Sequence, residues 1–141
     1  MRINKYLILY INFLRRFIRV TRPLKVVFDC SNGSTGLVLK PLLSKHRYIQ
    51  AAFINDQVDG NFPAHGPNPL AEGAMDQLIA EVRKLKADLG VILDNDGDRA
   101  FFVDELGQPL TATEALIFLG KNFKGSVVVD FMTGPLAYEQ F

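Results

Sequence analysis

Hydrophobic positions near the start of the chain repeat with the spacing of an amphipathic helix. They fall at intervals of three and four residues, which places them along one helical face. These positions are Ile3, Tyr6, Leu7, Tyr10, Ile11, Leu14, Phe17 and Ile18. Polar and basic residues lie mostly on the other face, so we predict an amphipathic helix over residues 1–20 that packs on the domain with a solvated basic face. It should end at Thr21-Arg22-Pro23, because the residue before proline avoids helical geometry.

The rest of the chain alternates between short apolar runs and helical patterns. Five apolar runs have the length of buried strands, at residues 25–30, 48–55, 87–93, 100–104 and 126–131. Three stretches have helical spacing, at residues 37–43, 69–86 and 113–123. We expect Pro41 to interrupt the first of these helices near its start, and Thr111 or Thr113 to cap the last.

This alternation predicts the fold class. Strands that alternate with helices favour an α/β sheet covered on both faces. The short link between residues 93 and 100 favours an antiparallel pair, with Leu106-Gly107 as the turn that follows. We therefore predict a three-layer α/β/α domain with a mixed, mostly parallel sheet. The 141 residues are expected to form one domain, with the α/β core at residues 24–131.

Composition narrows the class of protein. Hydrophobic residues make up 48% of the chain and charged residues 22%, which is typical of a globular domain. The net charge of +1 disfavours a nucleic-acid partner. The apolar run at residues 6–11 is too short to span a membrane and no cleavage site follows it, so we expect no membrane partner. A single cysteine, Cys30, excludes an internal disulfide, and we expect a cytoplasmic protein.

The strongest chemical signal is an acidic loop that follows the apolar strand at residues 87–93. Asp94, Asp96 and Asp98 occupy alternate positions, and their mutual repulsion becomes favourable when a hard divalent cation such as Mg²⁺ neutralises them. Gly97 allows the backbone to curl so that the carboxylates converge. Arg99 carries a planar guanidinium suited to a phosphate oxygen. A metal site beside an arginine favours phosphoryl chemistry.

Two other interpretations of the loop remain open from the residues alone. Asp94, Asp96, Asp98 and Glu105 occupy positions 1, 3, 5 and 12 of a calcium-binding EF-hand loop, but position 6 is Arg99 where glycine is needed, and the flanks read as strands. An apolar strand ending in Asp-x-Asp-Gly also resembles the haloacid-dehalogenase-like phosphatases. In that interpretation Asp94 is the nucleophile and Asp96 the acid, although Asp98 stands where that family usually has Thr or Ser.

Three further features have structural interpretations. The polar stretch at residues 31–36 is expected to form a turn and cap the next helix. His65 lies between prolines in a stiff loop, and we expect it to pack there rather than act as a general base. Cys30 ends a buried strand and is expected in the core.

Three stretches together resemble one family. The acidic loop 94–99, the proline-rich stretch 59–70 (Asp-Gly-Asn-Phe-Pro-Ala-His-Gly-Pro-Asn-Pro-Leu) and the entry strand 24–33 (Leu-Lys-Val-Val-Phe-Asp-Cys-Ser-Asn-Gly) are similar to the second domain of the α-D-phosphohexomutase superfamily. The proline-rich stretch is more like that of the phosphomannomutase/phosphoglucomutase branch.

The resemblance implies a function and a set of site residues. Such enzymes move a phosphoryl group between the 1- and 6-positions of a hexose phosphate, here of glucose or mannose, through a phosphoserine and a bisphosphorylated sugar. It implies that Asp94, Asp96 and Asp98 hold Mg²⁺ and that Arg99 lies beside the phosphate. The phosphoserine belongs to another domain, so the partners are the hexose phosphate and the remaining domains. We expect this chain alone to be inactive.

Overall fold

The computed structural model describes residues 4–121, 123, 125, 126 and 128. Within them the elements in chain order are α1 (Lys5–Arg15), β1 (Leu24–Asp29), α2 (Thr35–Leu43), β2 (Ile49–Ile54), α3 (Asp76–Leu85), β3 (Leu89–Leu93), β4 (Ala100–Val103) and α4 (Ala112–Gly120). The last predicted strand, residues 126–131, lies mostly outside the described residues.

The described strands form one mixed sheet in the order β2-β1-β3-β4. Strand β1 pairs in parallel with β2 on one side and with β3 on the other. Strand β4 runs antiparallel to β3, with Val91 opposite Phe102. The predicted mixed, mostly parallel sheet is confirmed, and so is the antiparallel pair that the short 93–100 link predicted.

Helices cover both faces of this sheet. Successive side chains of a strand point to opposite faces, so Val27 and its neighbour Phe28 enter different cores. One core packs α3 against the sheet and contains Val27, Leu78, Val82, Ala87, Ile92 and Val103. The other packs α1 and α2 against Phe28 and Phe53, whose rings stack at 5.5 Å. The three-layer α/β/α fold class is therefore confirmed.

Helix α1 is shorter than the sequence pattern predicts. It ends at Arg15 rather than at Thr21-Arg22-Pro23, because the amide groups of Arg16 and Phe17 bond back only three residues, to Phe13 and Leu14. This tight turn ends the α-helical ladder. The chain then bends so that Ile18 still reaches the core beneath α1.

The other helices also begin at positions that differ from the pattern. Helix α2 begins at Thr35, and Pro41 lies near its end rather than near its start. Helix α3 begins at Asp76 rather than at residue 69. The side chain of Asn68 accepts a bond from the Leu70 amide at 3.1 Å and holds a turn there instead. For α4, Thr111 is the N-cap and forms a reciprocal capping box with Glu114.

Candidate metal site

The candidate site lies at the edge of the sheet where the three parallel strands end. Strands β1, β2 and β3 all finish at this edge, which is where ligands bind in open α/β sheets. The segments that follow them are residues 30–34, the loop that begins at Asn55, and the acidic loop (residues 94–99). Strand β4 starts at the same edge because it runs antiparallel to β3.

Asp94 organises the acidic loop from within. Its side chain is only 1% exposed. The Oδ1 atom accepts hydrogen bonds from the amides of Gly97 at 2.9 Å and Arg99 at 3.2 Å. Gly97 has a φ of +81°, a left-handed conformation that glycine adopts without steric cost. The first carboxylate of the motif therefore fixes the curl that brings the others back toward it.

The three carboxylates of the loop lie together. Asp94, Asp96 and Asp98 each offer an oxygen, and these oxygens are all within 4.8 Å of one another. Asp94 is buried, whereas Asp96 and Asp98 are exposed. Hydrogen bonding to Asp94 and the negative charge of Asp96 raise the pKa of Asp98 above its ordinary 3.8. The crowding that the sequence predicts is therefore present in the fold.

Arg99 partly neutralises this crowding from within the chain. Its Nε donates to Oδ2 of Asp94 at 2.8 Å, and it lies 3.6 Å from Oδ1 of Asp98. Burial alone would raise the pKa of Asp94, but the bonds from Arg99 and from the Gly97 amide hold it below 3.8. The Arg99 side chain is still 52% exposed. The expected role of Arg99 beside a phosphate stays a prediction, and the structure adds this contact with the carboxylates.

The loop after β1 (residues 30–34, the β1–α2 loop) supports the acidic loop directly. The Ser31 hydroxyl donates to the Leu93 carbonyl, and the Ser34 amide donates to the Asn95 carbonyl at 2.9 Å. A Cβ added at Gly33 would lie 2.1 Å from that Asn95 oxygen. Ser34 occupies the N-cap of α2, but its side chain makes no capping bond. The expected capping role of this stretch is therefore wrong at Ser34, whose hydroxyl lies 3.4 Å from the Asn95 carbonyl.

A buried polar cluster lies beside these loops, around Asp29 at the end of β1. The Asp29 carboxylate has no exposed surface and accepts hydrogen bonds from the Ser31 amide and from Nδ2 of Asn55. The Nε2 atom of His65 lies 3.2 Å from Oδ2 of Asp29. Buried carboxylates are costly unless several donors satisfy them, and this one has three.

The cluster around Asp29 gives His65 a structural role. The side chain is 6% exposed and ties the proline-rich loop to the end of β1, consistent with a packed residue rather than a free general base. Its Nδ1 is buried and has no hydrogen-bond partner among the described residues. No pattern in the sequence connects His65 with Asp29. The available signal was an aspartate at the end of a largely apolar strand, which needs partners from elsewhere in the chain.

The geometry also bears on the two alternative interpretations of the acidic loop. Strands β3 and β4 flank the loop, whereas an EF-hand requires flanking helices. A nucleophilic Asp94 needs a carboxylate that a substrate can reach, but the side chain is only 1% exposed. Neither alternative gains support from the arrangement.

The donor set fits a hard divalent cation. Carboxylate oxygens are the ligands that Mg²⁺ and Ca²⁺ prefer, and two of the three carboxylates face solvent. The fold and this site together define a class: an α/β/α domain with a cluster of three carboxylates at the carboxyl edge of its sheet.

Comparison with known proteins places the domain in a family. Residues 9–107 match the family described as phosphoglucomutase/phosphomannomutase, alpha/beta/alpha domain II. The chain belongs to this family, within the phosphohexomutase superfamily that its motifs resemble.

Individual relatives agree with the assignment. The chain is 37% identical over 120 residues to a phosphomannomutase of Methanocaldococcus jannaschii, covering 82% of this chain and 26% of that protein. It is 36% identical over 113 residues to a phosphomannomutase/phosphoglucomutase of Pseudomonas aeruginosa, covering 80% and 24%. A solved phosphoglucomutase/phosphomannomutase family protein from Burkholderia thailandensis superposes with a TM-score of 0.74 at 30% identity, covering 82% and 25%. The chain thus spans about a quarter of the length of these relatives.

Proposed function

We propose that this chain is the metal-binding domain of a phosphohexomutase, an enzyme that moves a phosphoryl group between the 1- and 6-positions of glucose or mannose phosphate. One observation carries the proposal: in a chain of this family, three carboxylates converge within 4.8 Å on the loop after β3. The relatives named above are mutases by name, which supports the reaction class.

The described residues divide the work of the proposed site. Asp96 and Asp98 present exposed carboxylates, and Asp94 contributes one from the interior while it holds the loop closed. When bound, Mg²⁺ would neutralise these carboxylates and supply Lewis-acid stabilisation to phosphoryl oxygens. The Arg99 guanidinium forms an ion pair with Asp94. A half-exposed guanidinium in this position is suited to contact an arriving phosphate oxygen as well.

The proposal assigns the remaining parts of the reaction to other domains. A phosphoserine outside this chain would donate the phosphoryl group and give a bisphosphorylated sugar intermediate. The loops that select the hexose would also lie outside, so this chain does not set the choice between glucose and mannose. It follows that the 141-residue chain alone should have no mutase activity and should bind Mg²⁺ weakly, because three negative charges lack the ligand that the phosphoserine would provide.

A calorimetric titration with Mg²⁺ tests the site. We expect weak binding to the parent chain and none to an Asp96→Asn variant, which removes an exposed carboxylate without touching the bonds that close the loop. Glu72→Gln is the matched control, since it removes one exposed negative charge outside the cluster. Identical titrations for the parent and Asp96→Asn would refute the assignment of these ligands.

An activity assay tests the division of labour. Conversion of glucose 1-phosphate to glucose 6-phosphate is measured with the 141-residue chain, Mg²⁺ and a bisphosphate activator. We expect no turnover. Clear turnover by this chain would contradict the proposal that the phosphoserine lies on another domain.

A further inference from the structure

Helix α1 and the turn that follows it carry a row of exposed apolar side chains. They are Tyr6, Leu9, Tyr10, Phe13 and Phe17, which we call the aromatic stripe. Tyr6 is 73% exposed, Phe13 50% and Phe17 66%. The Phe13 and Phe17 rings contact each other edge to face at 5.0 Å. Contiguous exposed apolar surface of this kind marks an interaction site more often than a solvated one.

The stripe is separate from the face that α1 packs on the domain. Leu7, Ile11 and Leu14 contact α2 and the sheet, and at 3.6 residues per turn the stripe lies roughly 100° around the helix from them. A groove of about 720 Å³ between α1 and α2, lined in part by Ile8 and Leu37, continues the apolar surface beside the helix. The sequence pattern assigned Tyr6, Tyr10 and Phe17 to the packed face, and the structure leaves them exposed. Leu9 and Phe13 were not among the predicted apolar positions.

Charge around the stripe has one sign. The first 28 residues contain no aspartate or glutamate, and they contain seven basic residues: Arg2, Lys5, Arg15, Arg16, Arg19, Arg22 and Lys25. The other nine basic residues share the rest of the chain with all fifteen acidic ones. Lys5 and Arg16 border the stripe, and the exposed Arg19 follows it. The charged side chains that adjoin the stripe in sequence, Lys5, Arg16 and Arg19, are therefore all basic and exposed.

Aromatic rings flanked by cations match the physical structure of one partner. At the surface of an anionic bilayer, negative headgroups lie directly above apolar chains, and helices that bind there combine an apolar face with Lys and Arg beside it. The described residues include no helix long and apolar enough to cross a membrane. Contrary to the expectation from the sequence that the chain has no membrane partner, we propose that the aromatic stripe binds the surface of an anionic lipid bilayer. This inference is independent of the acidic loop and of the mutase reaction.

Co-sedimentation with vesicles tests the proposal on the full chain. We expect binding to vesicles of 70% phosphatidylcholine and 30% phosphatidylglycerol, little binding to pure phosphatidylcholine, and loss of binding in high salt. A Phe13→Ser/Phe17→Ser variant should partition about tenfold or more weakly. The matched control is Leu70→Ser/Leu106→Ser, which removes two exposed leucines elsewhere and should bind like the parent. Equal binding of both double variants would overturn the proposal.

A fluorescence measurement avoids reliance on variants that lose the stripe. The chain has no tryptophan, so Phe13→Trp places a single reporter on the stripe. Its emission should shift to shorter wavelength with anionic vesicles and remain unchanged with neutral ones. Absence of the shift would overturn the proposal. If light scattering then showed a dimer that Phe13→Ser/Phe17→Ser converts to monomers, the occupant of the stripe would be a second copy of the chain.

Discussion

The contact between the β1–α2 loop and the acidic loop can be tested at a single position. Gly33 packs against the Asn95 carbonyl so closely that a Cβ would lie 2.1 Å from the oxygen. Contacts shorter than 3.0 Å essentially do not occur, so a Gly33→Ala substitution must displace one loop from the other by roughly 1 Å. The adjacent bond from the Ser34 amide to the same oxygen would lengthen with it.

The cost of this displacement can be estimated from its two parts. Overpacking a tight contact costs about 1–3 kcal/mol, and loss of a backbone hydrogen bond adds about 1 kcal/mol. We therefore expect Gly33→Ala to lower the free energy of unfolding by about 2–4 kcal/mol. A domain of this kind has about 5–15 kcal/mol in total, so the variant should still fold.

Urea unfolding measures this effect, with Gly60→Ala as the matched control. Gly60 also lies in a loop, but its added Cβ would meet nothing within 4 Å and its φ is outside the left-handed region. That substitution should be neutral or stabilise by up to about 1 kcal/mol, because alanine restricts the unfolded chain. In Gly33→Ala, Mg²⁺ binding should weaken as well, since the acidic loop moves. Equal stability of the two variants would refute the close approach of the loops.

Three further predictions concern buried and half-buried groups. The Cys30 thiol should react with a chromogenic disulfide reagent far faster in urea than when folded, because burial raises its pKa from 9.0 to about 11 and so lowers the thiolate fraction about 100-fold. Lys40→Met should cost about 0.5 kcal/mol at neutral pH. The bond from Lys40 lowers the pKa of Asp56 below 3.8. The stabilisation from this ion pair is therefore present above pH 3.8 and is lost as the pH falls through the folded-state pKa of Asp56. Urea unfolding should show the stabilities of the parent and the variant converging in that pH range. His65→Ala should lower the free energy of unfolding by about 1–3 kcal/mol in thermal melts, because Asp29 keeps its burial but loses a donor; an unchanged melt would contradict that role.

The architecture could be predicted because the patterns that indicate strands and helices are local in sequence. Periods of two and 3.6 residues are set by backbone geometry, so the strands and the covered sheet were predictable, as was the antiparallel pair at the short link. The three aspartates are neighbours in sequence, and a buried strand before them was enough to predict that they converge. Helix ends were less predictable, because Asn68 and the tight turn after Arg15 compete with helical pairing through individual hydrogen bonds.

What the sequence could not supply were contacts between distant segments. The partnership of Asp29 with His65 joins residues 36 positions apart, and nothing in either local pattern points to the other. The division of α1 into a packed face and an exposed stripe has the same origin. Helical periodicity identifies apolar positions, but only the placement of α2 decides which of them find a neighbour.

The bonds from Ser31 to Leu93 and from Ser34 to Asn95 have a consequence for how the acidic loop can be used. They span 62 and 61 residues of sequence, so the loop is anchored in its place only when β1 and β3 are already side by side. A hexapeptide with the sequence of residues 94–99 would contain every ligand and still lack the anchoring that these bonds provide. The site is therefore a property of the assembled sheet, and grafting it onto another protein would require transferring the β1–α2 loop with it.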